Sequence, residues 1–193
     1  ASETCTFSYE RTAKDIEFWI IDYGVGVFEK IKSAFDLSDL RHALLELTKG
    51  KLTTDSSKHS GEGIFFTSRM MDFFALSSNG LLYQKRRSDD GWLVEVDEIS
   101  NVPGTAIRML IDVDAVQTLK GVFDQFSSGD DYSFAKTHVP LRLAQHEGAN
   151  LVSRSQAKRL LARVDKFSEV ILDFAGIEEI GQAFADEIFR VYA

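Results

Sequence analysis

Residues 18–26 read Phe18-Trp19-Ile20-Ile21-Asp22-Tyr23-Gly24-Val25-Gly26, an apolar run that ends in an aspartate and two glycines. The apolar run predicts a buried strand, which the glycines end abruptly. Asp22 offers a fixed acceptor for an N–H donor, such as the exocyclic amine of a purine. Gly24 and Gly26 allow backbone angles closed to other residues and let a flat ligand approach the main chain. Taken alone, the segment favours a simpler interpretation, an Asp-x-Gly turn between a strand and a helix.

The composition excludes several classes of protein. Of 193 residues, 44% are hydrophobic and 27% are charged, which is typical of a soluble globular protein that can bury a core. No apolar run is long enough to span a bilayer. The net charge of −8 and the sequence pI near 5.0 argue against a nucleic-acid binder that relies on a global positive field. Cys5 is the only cysteine, so no intrachain disulfide can form and a reducing cytoplasm is expected.

The sequence pattern of the first half predicts an α+β fold, with helices on one face of a mostly antiparallel sheet. The predicted strands are residues 4–9, 16–22, 80–84, 92–96 and 106–111, with a turn at 88–91. The predicted helices are two within residues 27–47, one at 64–74 and one at 115–126. Ser38 or Asp39 could cap the second of these helices, and Asp112 or Asp114 lies near the start of the last.

Three short motifs follow one another along the chain. They are Asp22-x-Gly24-x-Gly26 after a strand, Lys58-His59-Ser60-Gly61-Glu62-Gly63 before a helix, and Gly104-Thr105 before a strand. A glycine-rich loop that leads into a helix can hold a phosphate, because free N–H groups and the helix dipole both favour an anion. Lys58 adds a mobile positive charge beside that loop. Each motif alone is weak, but the ordered set indicates a nucleotide.

With these motifs the chain resembles the histidine-kinase-like ATPases, the superfamily of sensor kinases, anti-sigma-factor kinases, gyrase and the Hsp90 chaperones. The resemblance covers about the first 115 residues. It implies a partial ATPase sandwich that takes ATP with Mg²⁺, in which Asp22 binds the adenine amine and Thr105 supports the aspartate and the adenine through water. The resemblance places Gly61 and Gly63 in a lid over the phosphates. Together with Lys58, which the loop motif itself suggests, the predicted nucleotide-binding residues are Asp22, Gly24, Gly26, Lys58, Gly61, Gly63 and Thr105.

Two departures from the family pattern bear on the chemistry. The family lid has a third glycine where this chain continues with Ile64-Phe65-Phe66. The family also places a helix with a catalytic Glu and a magnesium-binding Asn before the first motif, whereas this chain has no Asn before Asn79. Without that magnesium-binding Asn, the phosphate charge is poorly neutralised, and without that Glu nothing activates water. We therefore expect a fragment or a degenerate member, a poor ATPase with weak or absent nucleotide binding, and we assign no catalytic residue.

The second half changes to strands that alternate with helices, a pattern typical of a small α/β unit. Strands are predicted at 139–144 and 170–174, and helices at 153–164 and 182–192. Ser153 or Ser155 could cap the first helix, and Asp173 could face a ligand or simply cap the turn after its strand. The polar run at 127–131 is the best boundary, so the predicted domains are residues 1–126 and 127–193.

This second half resembles the STAS-like domains of unknown function that follow such ATPase modules in some bacterial proteins, over roughly residues 132–193. The stretches that carry the resemblance are SRSQAKRLL at 153–161, LDFAGI at 172–177 and IGQAFADE at 180–187. STAS antagonists of anti-sigma factors carry a phosphorylatable serine after a strand and turn. The comparable stretch Gly181-Gln182-Ala183 has no hydroxyl, so that modification is excluded here. We expect the STAS-like unit to be truncated at its C-terminus.

Together these observations predict a cytoplasmic bacterial signalling protein, in which an ATP-binding module is coupled to a STAS-like module that binds an unidentified regulatory protein. The alternative is an interaction module that keeps the fold and has lost nucleotide chemistry. Nucleic-acid binding through a basic helix face is a third, less favoured possibility, and a homodimer is left open. The basic residues of that face are Arg154, Lys158, Arg159, Arg163 and Lys166.

Overall fold

The computed structural model describes residues 2–87, 92–95, 103–128, 133–145 and 150–192, with only the backbone described at 92–95. The elements of the first half are β1 (Cys5–Arg11), β2 (Asp15–Asp22), α1 (Val27–Phe35), α2 (Leu40–Lys49), α3 (Gly63–Met70), β3 (Phe73–Ser78), β4 (Leu81–Arg86), β5 (Trp92–Glu95), β6 (Thr105–Asp112) and α4 (Leu119–Phe126). Those of the second half are β7 (Ser127–Ser128), β8 (Ser133–Phe134), β9 (Lys136–Pro140), α5 (Arg154–Leu161), β10 (Glu169–Asp173) and α6 (Gln182–Asp186).

A six-stranded antiparallel sheet organises the described part of the first half. Its strand order is β1-β2-β6-β3-β4-β5, so β6 lies between two strands that precede it in the chain. The start of β6 is held from both sides, because Thr105 pairs with Asp22 at the end of β2 and with Ser78 at the end of β3. The prediction of a mixed α+β fold with an antiparallel sheet is confirmed.

One face of this sheet carries the helices and the main apolar core. Phe74 of β3 and Met109 of β6 share a buried cluster with Phe28 of α1 and Leu44 of α2. Along β4 the buried residues alternate with partly exposed ones, as a strand covered on one side requires. The opposite face carries Arg108, which lies over the rings of Trp19 and Phe73.

The helix termini follow local chemistry that the sequence displays. Asp39 caps α2, where its Oδ1 accepts a hydrogen bond from the His42 N–H at 2.8 Å. Gly50 ends the same helix with φ near +84°, a conformation that favours glycine. The prediction for α4 was wrong in detail: the helix begins at Leu119, and its cap is Thr118 rather than an upstream aspartate.

The helix predicted at 64–74 is shorter than expected. It ends at Met70, and Phe73 and Phe74 open β3, the strand that the sequence pattern missed. The first four residues of β3 are all buried, so the run lacks the alternation that marks a half-exposed strand. The turn predicted at 88–91 lies outside the described residues.

The second half contains a strand–helix–strand unit. Strands β9 and β10 pair in parallel, and α5 lies between them in the sequence. Ser153 caps α5 in a reciprocal capping box with Gln156. The strand predicted at 139–144 was misplaced, because β9 is Lys136–Pro140 and Leu141–Ala144 forms a 3₁₀ turn. The predicted last helix is α6 followed by a π-helical stretch at Glu187–Tyr192.

The two predicted domains share one apolar core among the described residues. The cluster that holds Leu44 and Leu76 also contains Val139, Leu160 and Phe184. A second cluster joins α3 to the later segments and consists of Phe65, Phe66, Val122, Phe134 and Phe167. The two halves therefore pack together, and the boundary at 126/127 stays a prediction.

None of the helices in the described ranges combines the length and the apolar character needed to cross a membrane.

Candidate functional site

Asp22 lies at the end of β2, where the strand gives way to the glycine turn. Its Oδ1 accepts a hydrogen bond from the Gly24 N–H at 2.8 Å, which makes an Asx turn. Among the described residues, Oδ2 receives no hydrogen bond. Asp22 is therefore held in place by one oxygen and can offer the other to a ligand.

Two glycines permit close backbone approaches around Asp22. Gly104 has φ near +111°, and a Cβ at this residue would lie 1.9 Å from the carbonyl oxygen of Asp22. Gly26 has φ near +86°, and a Cβ there would lie 2.1 Å from Oδ1 of Asn79. Gly26 therefore serves packing against the β3–β4 turn, as well as any role toward a ligand.

A first cavity of about 320 Å³ opens beside Asp22. It brings together four of the residues that the sequence predicted, and its lining includes Asp22, Gly24, Gly26, Thr105, Val27 and Lys30. Cys5 of β1 also borders it. The volume lies at the lower end of the range typical of small-molecule sites, which is roughly 300–1,000 Å³.

A second cavity of about 530 Å³ lies under the loop between α2 and α3. Its lining contains the other three predicted residues, Lys58, Gly61 and Gly63. Val27 and Lys30 line this cavity as well as the first, so the two cavities share lining residues in the first turn of α1. Each of the seven predicted residues thus borders one of these two cavities, although the three motifs lie far apart in the sequence.

The loop over the second cavity has a defined internal structure. Gly61 has φ near +77°, and a Cβ there would lie 2.5 Å from the carbonyl group of Leu52. Lys58 is exposed and pairs with Asp55, with 3.3 Å between Nζ and Oδ2. A hydrogen bond from Ser57, together with Lys58, lowers the pKa of Asp55 below its ordinary value. Lys58 is therefore an exposed cation at the rim of the cavity.

The start of α1 is not open to an anion. The Val27 N–H is bonded to the hydroxyls of Ser78 and Thr105, and the Glu29 N–H to Oδ1 of Asn79. The start of α3 is different, because Glu62 at its cap makes no side-chain hydrogen bond to the helix. An anion in the second cavity would therefore meet free N–H groups at α3 rather than at α1.

The phenylalanine that replaces the third lid glycine points away from the cavities. Phe65 is buried, and its ring lies 5.0 Å from that of Phe126 and 4.5 Å from that of Phe134. Neither Phe65 nor Phe66 lines the two cavities. Phe65 and Phe66 therefore pack in the aromatic core, and the space under the loop stays open.

Within the ranges that the structure describes, no group of three His, Cys, Asp or Glu side chains could hold a metal ion. The residues described therefore offer no ready-made magnesium site.

The sequence missed three residues of this region. Lys30 borders both cavities, while Ser78 and Asn79 fix the first turn of α1. Asn79 and Gly80 both have positive φ, as the tight hairpin between β3 and β4 requires. The Asn-Gly pair was the available signal for Asn79. Nothing local distinguished Lys30 from an ordinary helix-surface lysine.

A clasp of the buried Glu46 and Lys49 with the partly exposed Arg163 lies where α2 leads into the loop, and the Arg163 Nε lies 3.4 Å from Oε2 of Glu46. Lys49 is only 1% exposed, and its Nζ lies 2.5 Å from Oε1 of Glu46. The same Nζ donates to the carbonyl oxygens of Arg159 and Ala162 at the end of α5, at 3.3 and 2.8 Å. Burial lowers the pKa of Lys49, although the charge of Glu46 opposes the shift.

The residues after the clasp continue this contact with the second half. The Lys51 Nζ donates to the Lys166 carbonyl at 2.9 Å, and Arg163 donates to the Lys51 carbonyl at 3.4 Å. The Thr137 hydroxyl donates to the Lys49 carbonyl at 2.8 Å. The base of the loop over the second cavity is thus bonded directly to α5, β9 and the segment that follows α5.

Comparison with protein families supports the STAS-like part. Residues 156–193 match the family described as STAS-like domain of unknown function (DUF4325). The match covers most of α5, then β10 and α6, and begins later than the residue 132 expected from the sequence. It does not extend into the first half. A search among curated proteins found no match.

Proposed function

We propose that this chain binds an adenine nucleotide in these two cavities and passes the state of that site to a regulatory partner through its STAS-like part. The observation that carries the proposal is the common border at Val27 and Lys30 between the cavity that contains Asp22 and the cavity under the glycine loop. An elongated ligand with a flat base at one end and an anionic group at the other would fit this shape.

Each residue has a definite role in this proposal. The oxygen of Asp22 that no described donor occupies accepts the exocyclic amine of adenine, and Thr105 lies opposite Asp22 in the strand pairing. Gly24 and Gly26 border the ring, while Gly61 and Gly63 lie over the phosphates.

Two lysines supply the positive charge in this proposal. Lys30 lies where the base joins the phosphates, and Lys58 folds in from the rim.

The coupling to a partner rests on the contacts of the clasp. A nucleotide that orders the loop at 52–63 changes the positions of Lys49 and Lys51. Both lysines are bonded to backbone carbonyls of the second half. A change in the loop is therefore transmitted to the end of α5. The partner is proposed to be an unidentified regulatory protein that binds the STAS-like part.

The test is calorimetric titration with ADP and ATP, each with and without Mg²⁺. Asp22→Asn keeps a side chain that can form the same Asx turn but loses the acceptor that adenine needs, so we expect affinity to fall by about tenfold or more. The matched control is Asp173→Asn, because Asp173 ends β10 with the same turn, its Oδ1 2.8 Å from the Ala175 N. Binding of ADP and ATP that is no tighter than millimolar would contradict the proposal. An equal loss of affinity in Asp22→Asn and Asp173→Asn would contradict it too.

A second function is favoured by two observations. The Val27 and Glu29 N–H groups at the start of α1 are already bonded, and the described residues lack a carboxylate cluster for Mg²⁺. The chain would then be an interaction module that keeps the fold without nucleotide chemistry. In that case ADP and ATP give no heat in the titration, and Asp22→Asn leaves partner binding unchanged.

A further inference from the structure

Strand β1 presents an edge without the usual protection. It pairs with β2 through seven consecutive residue pairs, from Cys5 with Asp22 to Arg11 with Ile16, so its ladder has no bulge. Its other edge meets no strand among the described residues. Natural sheets protect such edges with prolines, charged side chains, bulges or short strands. The charged residues of β1, Glu10 and Arg11, lie at its end, and the segment Cys5-Thr6-Phe7-Ser8-Tyr9 has none of these features.

Two large aromatic side chains on this strand are exposed. Phe7 is 59% exposed and Tyr9 is 67% exposed. The ring of Phe7 lies 6.3 Å from the ring of Tyr9 and 6.3 Å from that of Phe18 on β2. The three rings form an aromatic stripe (Phe7, Tyr9 and Phe18) that reaches the outer edge of the sheet, where exposed apolar area marks an interaction surface.

We propose that β1 pairs with the β1 strand of a second copy of this chain, antiparallel and about a twofold axis at Ser8. In this register Phe7 of each copy lies opposite Tyr9 of the other, which gives two aromatic cross-strand pairs. Glu10 lies opposite Thr6 and Arg11 lies opposite Cys5, so no like charges meet. A parallel pairing in register would instead place Glu10 beside Glu10 and Arg11 beside Arg11.

The same strand serves both copies, so the contact closes on itself and yields a dimer rather than a fibre. The product is a continuous sheet of twelve strands, with the aromatic stripes of both copies side by side. One strand on each side is smaller than a standard interface, so we expect a dissociation constant on the order of micromolar or weaker. This proposal does not depend on nucleotide binding.

The first test is sedimentation equilibrium of the chain over a range of concentrations up to about 1 mM. We expect a monomer–dimer equilibrium that Phe7→Lys shifts at least tenfold toward monomer, because a lysine on an edge strand opposes pairing. Phe189→Lys is the control, since Phe189 is 60% exposed and lies far from β1 in the sequence. A chain that stays monomeric throughout, whatever else binds this edge, overturns the proposal, as does a dimer that Phe7→Lys leaves unchanged.

The second test checks the register and does not depend on weakening the strand. In a Cys5→Ser background, Ser8→Cys places two thiols directly opposite each other, with Cα atoms roughly 4.5–5.5 Å apart, within reach of a disulfide. Thr6→Cys is the control on the same face of β1, with its two copies roughly 14 Å apart. We expect a disulfide-linked dimer with Ser8→Cys only. Equal cross-linking of the two variants, or none with Ser8→Cys, overturns the register.

Discussion

Lys49 shows how far burial can change the role of an ordinary helix residue. Its spacing from Glu46 is that of a surface ion pair, yet both side chains are almost completely buried. The ammonium group ends α5, a helix from another part of the chain, by bonding two of its last carbonyl oxygens. A positive charge at a helix C-terminus is favourable because of the helix dipole.

Lys49→Met should destabilise the protein by about 1–3 kcal/mol, because it leaves the carbonyls of α5 without a donor, while Arg163 remains 3.4 Å from Glu46. Lys32→Met is the matched control, since Lys32 pairs with Glu29 at the same spacing but on the surface. The loss of folding stability in Lys32→Met should be about 0–1 kcal/mol. The measurement is urea unfolding of both variants. Equal losses would show that the clasp does not stabilise the fold as its geometry implies.

At the scale of elements, the capping residue Asp39 also ties α2 to α5. Oδ1 of Asp39 caps α2, and Oδ2 lies 3.2 Å from Nη1 of Arg159. Burial opposes the charged form, but the His42 N–H, the Ser38 hydroxyl and the Arg159 charge together hold the pKa of Asp39 below its ordinary value. Because the folded-state pKa is the lower one, this charge stabilises the fold above the unfolded-state pKa and ceases to do so as pH falls through the folded-state value.

We therefore expect two different pH profiles at Asp39. Asp39→Asn keeps the cap and loses the charge, so its stability deficit should be present at neutral pH and vanish at acid pH. Asp39→Ala also loses the cap, so a further deficit of about 1 kcal/mol should persist at every pH. Chemical unfolding between neutral and acid pH measures both. A deficit of Asp39→Asn that is independent of pH would mean that its charge has no role.

The sequence predicted the elements whose signals are local. The sequence offered Ser38 or Asp39 as one cap and Ser153 or Ser155 as another, and Asp39 and Ser153 are the residues that cap the helices, since each cap depends on a few neighbouring residues. Strand β3 was missed because a strand buried on both faces carries no period. At the candidate site, the motifs gave seven residues that line the cavities. Lys30 was not predicted, because its place in the cavity lining depends on the packing of α1 on the distant loop.

At the scale of the whole molecule, both halves contribute to the main core. Leu160 of α5 is completely buried in the cluster that also holds Leu44 and Leu76. A cluster shared in this way should make the halves unfold together, even though the sequence suggests a boundary at 126/127.

Leu160→Ala should cost about 2–5 kcal/mol and lower the unfolding midpoint of the entire chain. The two tryptophans, Trp19 and Trp92, both precede residue 127, so their fluorescence reports on the first half alone. We expect Leu160→Ala to lower the urea midpoint followed by fluorescence and the urea midpoint followed by circular dichroism by the same amount. Leu119→Ala, at an exposed site on α4, is the control. A fluorescence transition that Leu160→Ala leaves unchanged would contradict a shared core.

The position of β6 between β2 and β3 also constrains how the protein is made on the ribosome. The middle of the sheet stays open until Thr105–Asp112 has left the exit tunnel, although its neighbours emerge much earlier. Until then Asp22 has no Thr105 beside it, and the first turn of α1 lacks one of its bonds. A nascent chain from which Thr105–Asp112 has not yet emerged therefore has no complete pocket, so any small molecule that assists folding can act only after this late strand has been inserted.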